Sequence, residues 1–174
     1  VYGGLLAARH VLGADIAIVA QGPGNLGTGT RWGFSGTAAG EAVNAAATLA
    51  GRPVGSLRIS DADARDRHQG VSHHSLTAYG LVALARADLV VPDGLPEPLA
   101  SAVADAVAPL AGRHRIVTVA TEGLDGALRD LPVKLSTMGR DLDHDHAYFL
   151  SAAAAGRHAA ALAVMTPGTT PAPG

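Results

Sequence analysis

Residues 14–33 read ADIAIVAQGPGNLGTGTRWG, an apolar run followed directly by a glycine-rich stretch. The near-continuous apolar run over residues 14–20 is typical of a strand that is buried on both faces of a parallel sheet. Glycine accepts backbone angles that are closed to other residues, so the stretch after it is predicted to be a loop with exposed amides. We call residues 22–33 the glycine loop. This unit of strand and loop predicts an α/β fold.

Three further apolar runs are predicted to be strands, and helix-like stretches separate them. The strands are expected over residues 54–60, 89–91 and 113–120. The imperfect alternation of the last one suggests an edge of the sheet or a partly exposed position. The helices are expected over residues 2–11, 37–49, 73–86, 99–110, 125–131 and 147–164. Ser72 is expected to cap the helix over residues 73–86. Such alternation is the signature of βαβ units, so we predict a three-layer, Rossmann-like fold with a mostly parallel sheet and helices on both faces.

Composition limits the class of protein. The chain has 174 residues, is 48% hydrophobic and carries a formal charge of -2, which fits one domain over residues 1–165 and a disordered, proline-rich tail over residues 166–174. No run of about 18 apolar residues occurs, so we predict a cytoplasmic protein without a membrane partner. Aromatic residues make up only 3%, which argues against a nucleic-acid partner. The chain has no cysteine, so His, Asp and Glu are its only strong metal ligands.

The glycine loop is interpreted as an anion site. Residues 22–27, GPGNLG, match the G-x-G-x-x-G pattern. A standard NAD site is nevertheless disfavoured, because the loop is longer than the pattern requires and Asp61, at the end of the next predicted strand, lies beyond the customary spacing of about twenty residues. The loop also lacks the G-K-[ST] ending of a nucleotide triphosphate site. The alternative is a turn that lets chain segments pack closely, with Trp32 and Phe34 covering the core. In the favoured interpretation the anion is bound by Gly22, Gly24, Asn25, Gly27, Thr28, Gly29, Thr30 and Arg31.

Residues 60–74, SDADARDRHQGVSHH, form a second polar loop, which we call the histidine loop. Carboxylates and imidazoles can exchange protons near neutral pH, so Asp61, His68, His73 and His74 are predicted to be catalytic, with Arg67 binding the ligand. Ordinary turn residues and solvated charges are the alternative. A metal site is disfavoured because adjacent histidines on a helix point about 100° apart. No metal ligand is therefore assigned, and the cofactor stays unknown.

Two segments near the end of the chain are also polar. Residues 134–140, KLSTMGR, would suit an anion through Ser136, Thr137 and Arg140, or form an ordinary polar stretch; a strand and a loop both remain open there. Residues 141–146, DLDHDH, look like metal ligands but fit a helix start better. We expect Asp143 or Asp145 to cap the last helix.

Several runs in the chain resemble one bacterial protein family. They are GPG at 22–24, GTGT at 27–30, WGFSG at 32–36, RIS at 58–60, RH at 67–68, GVSHHSLT at 70–77 and LSTMGR at 135–140. Together they resemble the family called domain of unknown function 3866, up to about residue 158. The resemblance implies no activity. It does imply members about twice this length, so that the chain corresponds to their C-terminal part and part of a shared site lies outside it.

The sequence therefore predicts a domain that binds a small anionic metabolite, such as a phosphorylated one, between the glycine loop and the histidine loop. Asp61 and His73 or His74 would transfer protons if the protein is an enzyme, which the sequence leaves open. The main alternative is a non-catalytic module in which alanine-rich helices form a homodimer. A metal-dependent hydrolase is a lesser alternative.

Overall fold

The computed structural model describes residues 1–21 and 26–165. The predicted tail and the expected anion ligands Gly22, Gly24 and Asn25 lie outside these ranges. Within them the helices and strands are α1 (Tyr2–His10), α2 (Ala38–Thr48), β1 (Val54–Ser56), β2 (Ile59–Ser60), β3 (Gly70–Val71), α3 (His73–Thr77), β4 (Asp88–Pro92), α4 (Leu99–Val107), β5 (Arg115–Val119), α5 (Leu124–Arg129) and α6 (His146–Met165).

The main sheet has three parallel strands in the order β1-β4-β5. Strand β4 is central, and β5 lies at one edge, which is one of the two positions predicted for residues 113–120. Strands β2 and β3 form a separate antiparallel pair next to the histidine loop. The combination of helices with a parallel sheet confirms an α/β fold. Within the described residues, no helix has both the length and the apolar character needed to cross a bilayer.

Strand β4 connects two hydrophobic clusters. Side chains alternate along a strand, so Leu89 packs into a cluster with Tyr79, Val103 and Leu110, while Val90 packs into another with Leu150. Both β4 residues are 0% exposed. Helices α3 and α4 contribute to the first cluster and helix α6 to the second, so both faces of β4 are covered.

The apolar run over residues 14–20 is not a strand, which corrects the prediction that it lies in the centre of the sheet. It is exposed, with Ile16 at 44%, Ile18 at 90% and Val19 at 51%. No other described segment forms a ladder with it. An apolar pattern favours an extended backbone, but a strand also needs a neighbour that accepts and donates hydrogen bonds.

The predicted strand over residues 54–60 is divided into β1 and β2, which belong to different sheets. Between these two strands, serine side chains form hydrogen bonds to the backbone. The hydroxyl of Ser151 donates to the carbonyl of Leu57 at 2.6 Å, and Ser75 Oγ accepts from the amide of Arg58 at 2.9 Å. These bonds satisfy the chain where a ladder would otherwise continue.

Other differences are local. The predicted helix over residues 73–86 is helix α3 followed by a π-helical turn, Ala78–Val82, because Asn44 Oδ1 accepts from the amides of Leu84 and Ala85 and ends it. Residues 133–140 form a loop in which Thr137 and Arg140 exchange two backbone hydrogen bonds. The remaining predicted helices are confirmed with shifts of a few residues at their ends.

The expected cap of helix α6 is wrong. Asp145 precedes the helix, but its carboxylate accepts from Arg140 at 2.9 Å and from Ser60 at 3.0 Å. A charged guanidinium is the stronger donor for this buried group. Asp141 instead accepts from the amides of Asp143 and His144 in the turn before the helix.

Candidate functional site

Three histidines meet where the histidine loop enters helix α3. The ring centroids of His73 and His74 lie 4.3 Å apart, and those of His68 and these two rings lie 5.0 and 4.9 Å apart. One ring nitrogen from each residue lies within 4.8 Å of the other two. His68 is buried and the other two are half-buried. We call these three residues the histidine cluster.

Ser72 contacts the ring of His68 and orients it. Its hydroxyl lies 2.7 Å from Nδ1 of His68 and accepts from the amide of His74 at 3.2 Å. The second bond caps helix α3, as the sequence predicted for Ser72. Because Nδ1 of His68 is engaged by the hydroxyl, Nε2 is the nitrogen left for a ligand.

The glycine loop reaches the histidine cluster through Phe34. The ring of Phe34 stacks on that of His74 with centroids 4.0 Å apart and planes inclined by 8°. Phe34 is buried and pairs with Gly27 in an isolated antiparallel bridge. Phe34, which directly follows the glycine loop and pairs with Gly27, therefore links that loop to the histidine loop.

Hydrogen bonds among its own residues hold the described part of the glycine loop in a compact turn. The hydroxyls of Thr28 and Thr30 lie 3.0 Å apart, and the amide of Gly33 donates to Thr30 Oγ1 at 3.0 Å. A Cβ on Gly33 would lie 1.8 Å from Thr28 Oγ1, so the turn needs glycine there. Gly27, Gly29 and Arg31 are exposed in the same turn. Trp32 is 59% exposed, so the expectation that it covers the core is wrong, since Phe34 alone turns inward.

Burial makes the histidine cluster hard to protonate. It lowers the pKa of His68 to about 3 and that of His74 to about 4, and nearby positive charges add to both shifts. The pKa of His73 is lowered by burial first and by Arg67 second. The three imidazoles are therefore neutral at pH 7 and keep a nitrogen lone pair each.

The buried carboxylate of Asp63 pairs with three partly exposed arginines beside the cluster. It is 1% exposed and pairs with Arg65 at 2.9 Å, with Arg58 at 2.8 Å and with Arg140 at 3.3 Å. Hydrogen bonding from Arg65 is the main cause that holds the pKa of Asp63 well below its usual range. Three guanidinium groups share this one carboxylate, and Arg140 also pairs with Asp145, so the surroundings of the cluster remain positive.

Two arginines of the predicted anion site have exposed side chains. Within residues 1–21 and 26–165, neither Arg67 nor Arg31 has a hydrogen bond or an ion pair. The charge of Arg67 acts on His73 and His74 through space. Arg140, in contrast, is committed to the buried acidic groups, and of its predicted companions Ser136 is exposed and Thr137 is buried.

Asp61 lies outside the histidine cluster. It is exposed and lines an open cleft with Gln69, Val71, Glu97 and Leu99, and none of the three histidines lines this cleft. The predicted catalytic residues therefore do not form one group. The three histidines lie together, whereas Asp61 lies in a separate cleft.

Sequence reasoning missed three residues of the site. No site role is predicted for Asp63 beyond its place in the polar histidine loop, and none is predicted for Arg58. Phe34 enters only in the alternative in which it covers the core. The angular argument against a shared ligand for His73 and His74 also fails here, because rotation of the side chains brings their rings together at the first turn of a short helix. The run of acidic and basic residues at 58–65 was the available signal for the ion pairs.

Fold and site together define an α/β domain with a cluster of neutral histidines beside arginines. The chain belongs to the family described as protein of unknown function (DUF3866), whose model matches residues 1–156. This confirms the family that the sequence motifs resemble. No curated protein matches the chain, and no solved structure does.

Proposed function

We propose that the domain binds a small anionic metabolite, with a phosphate or carboxylate group, between the glycine loop and the histidine cluster. The observation that carries this proposal is the exposed guanidinium of Arg67, which has no partner among the described residues while its charge acts on His73. A guanidinium matches a phosphate or carboxylate with two parallel hydrogen bonds.

The surroundings of Arg67 support an anion further. Arg58 and Arg65 add positive charge at the histidine cluster, and Asp63 compensates only part of it. The histidines are neutral, so they offer the ligand hydrogen bonds without adding charge. In this proposal Arg31 approaches the same anion from the glycine loop, which contacts the cluster through Phe34.

Catalysis is a second part of the same proposal. The imidazole of His73 has a buried Nε2 without a hydrogen-bond partner among the described residues. A neutral imidazole can accept a proton from a bound molecule through such a nitrogen. Asp61 would serve substrates that extend into the adjoining cleft, which it lines with Gln69.

Replacing Arg67 with Gln is expected to weaken the binding of inorganic phosphate about tenfold or more, because a hydrogen bond to a charged group contributes roughly 1.5–3 kcal/mol. Isothermal titration calorimetry measures the affinity, and circular dichroism checks that the fold is retained. The matched control is Arg86→Gln, an exposed arginine that lines a different cleft with Arg52 and Arg115. The proposal fails if Arg86→Gln lowers the phosphate affinity and Arg67→Gln does not.

A second candidate function is suggested by the exposed apolar run over residues 14–20. We propose that this run pairs with the same run of a second copy, forming a homodimer. Ile16 and Ile18 lie two residues apart and are both exposed, as expected for one face of a strand. Two identical segments can pair around a twofold axis, which satisfies both backbones at once.

Replacing Ile18 with Asp is expected to convert this dimer to a monomer, because a carboxylate would be buried in the paired segment. The mass in solution, measured by light scattering after size exclusion, tests this. Val133→Asp, at a position 62% exposed in another loop, should keep the mass of the unaltered chain. A monomeric unaltered chain would refute the homodimer.

We also infer the finer fold and the location that the sequence suggested. The parallel order β1-β4-β5, with helices between successive strands, supports a three-layer, Rossmann-like arrangement. A cytoplasmic location rests on composition alone.

A further inference from the structure

We propose that His68, His73 and His74 bind a zinc ion that keeps one coordination position open. This inference rests on the proposed function in that the metal would lie at the same cluster as the anion, although zinc binding itself does not need the anion. Among the described residues, this is the only group of three metal-ligating side chains whose ligand atoms converge.

The distances suit a site that closes around the ion. One ring nitrogen of each residue lies within 4.8 Å of the others. Tetrahedral zinc holds imidazole nitrogens at 2.0–2.1 Å, so two such nitrogens come to about 3.4 Å from each other. The nitrogens must approach one another by at most about 1.4 Å, and rotation of the half-buried His73 and His74 side chains can supply this movement.

The hydrogen-bond pattern leaves nitrogens for the metal. Nε2 of His73 is buried without a partner among the described residues, and an unsatisfied buried nitrogen destabilises the fold unless a ligand engages it. Nδ1 of His68 is held by Ser72, which orients the ring and leaves Nε2 for coordination. Metal-bound histidines commonly have such a partner on their other nitrogen.

The available ligand types point to zinc with an open position. Imidazole suits zinc and its neighbours in the first transition row, and the chain has no thiolate to offer. The buried carboxylate of Asp63 is paired with Arg58 and Arg65 and is not a fourth ligand. Three protein ligands and one exchangeable position are the arrangement of catalytic zinc sites.

Positive charge around the cluster opposes a bare dication and so favours an anion beside it. Arg58 and Arg65 are partly neutralised by Asp63, whereas Arg67 has no acidic partner among the described residues. A phosphate or carboxylate would occupy the open position of the zinc and contact Arg67 at the same time. Zinc and phosphate are therefore expected to strengthen the binding of each other.

The test is a zinc titration of the whole, metal-stripped chain by calorimetry, with cobalt substituted to report coordination geometry in its visible spectrum. One zinc per chain is expected, and tetrahedral cobalt absorption with it. His73→Asn and His74→Asn, made separately so that a folding defect in one does not end the test, should each weaken zinc binding about 100-fold or more. Circular dichroism identifies a folded variant.

The matched control is His144→Asn, because His144 is an exposed histidine paired with Asp141 in the acidic segment before helix α6. It should leave zinc affinity unchanged. The absence of stoichiometric zinc binding would overturn the proposal, and so would unchanged zinc affinity in both cluster variants.

The two proposals fail separately. Zinc bound to the cluster without any phosphate affinity would refute the anion function and keep the metal site. If the chain binds phosphate through Arg67 but never binds zinc, the metal site is refuted and the anion function is kept. Arg67→Gln should keep one zinc per chain while losing phosphate affinity.

Discussion

Replacing Asp63 with Ala is expected to lower the free energy of unfolding by about 3–5 kcal/mol, because removing one partner of a buried ion pair leaves uncompensated charge. Asp63 is 1% exposed, so its carboxylate is well shielded from water. Arg65 is 37% exposed and can turn toward solvent, but Arg58 and Arg140 are only 22% and 20% exposed. Arg140 keeps Asp145 as a partner, so the loss of stability comes mainly from the uncompensated charge of Arg58.

Urea unfolding monitored by circular dichroism measures this change. The control is Asp66→Ala, at an exposed carboxylate three residues along the same loop, which should change the free energy by less than about 0.5 kcal/mol. Equal stability of the two variants would show that the arginines around Asp63 are satisfied without it.

The pH dependence of Asp63 gives a second readout. Hydrogen bonding from Arg65 holds its pKa well below the ordinary value of 3.8, so the unfolded chain takes up this proton more readily than the folded one. Its contribution is present above about pH 4 and is lost as the pH falls through the folded pKa. The difference in stability between the unaltered chain and Asp63→Ala should shrink as the pH is lowered from 5 toward 2.

Replacing Leu89 with Ala is expected to lower the free energy of unfolding by about 2–5 kcal/mol, because the smaller side chain leaves a cavity in the centre of the sheet. Leu89 is 0% exposed and lies on β4, between β1 and β5. It contributes to the cluster that also contains Tyr79 and Val103. Because β4 has a strand on each side, the residues around Leu89 can move only a little into the cavity.

The same substitution at an exposed leucine is the control. Leu84 is 74% exposed, so Leu84→Ala should change the midpoint of urea unfolding only slightly. A small effect at Leu89 as well would mean that the cluster around β4 repacks into the space.

Local patterns predicted most helices and the strands β4 and β5, because period and capping act over a few residues. Ser72, for example, caps helix α3 as expected, through a bond to the amide of His74. The run at 14–20 shows where such reasoning ends. Its apolar pattern is that of a buried strand, but burial and pairing depend on a neighbouring segment that the pattern does not specify.

For the site, the sequence by itself determined which groups are present: three histidines and two arginines within one loop, no thiol, and the motifs of the DUF3866 family. Only the tertiary structure decided how they act together. It brings Phe34 onto His74, turns the adjacent rings of His73 and His74 toward His68, and links Asp63 to Arg140 across 77 positions of the chain. Side-chain rotation, burial and long-range ion pairing set this geometry, and each depends on segments that are distant in sequence.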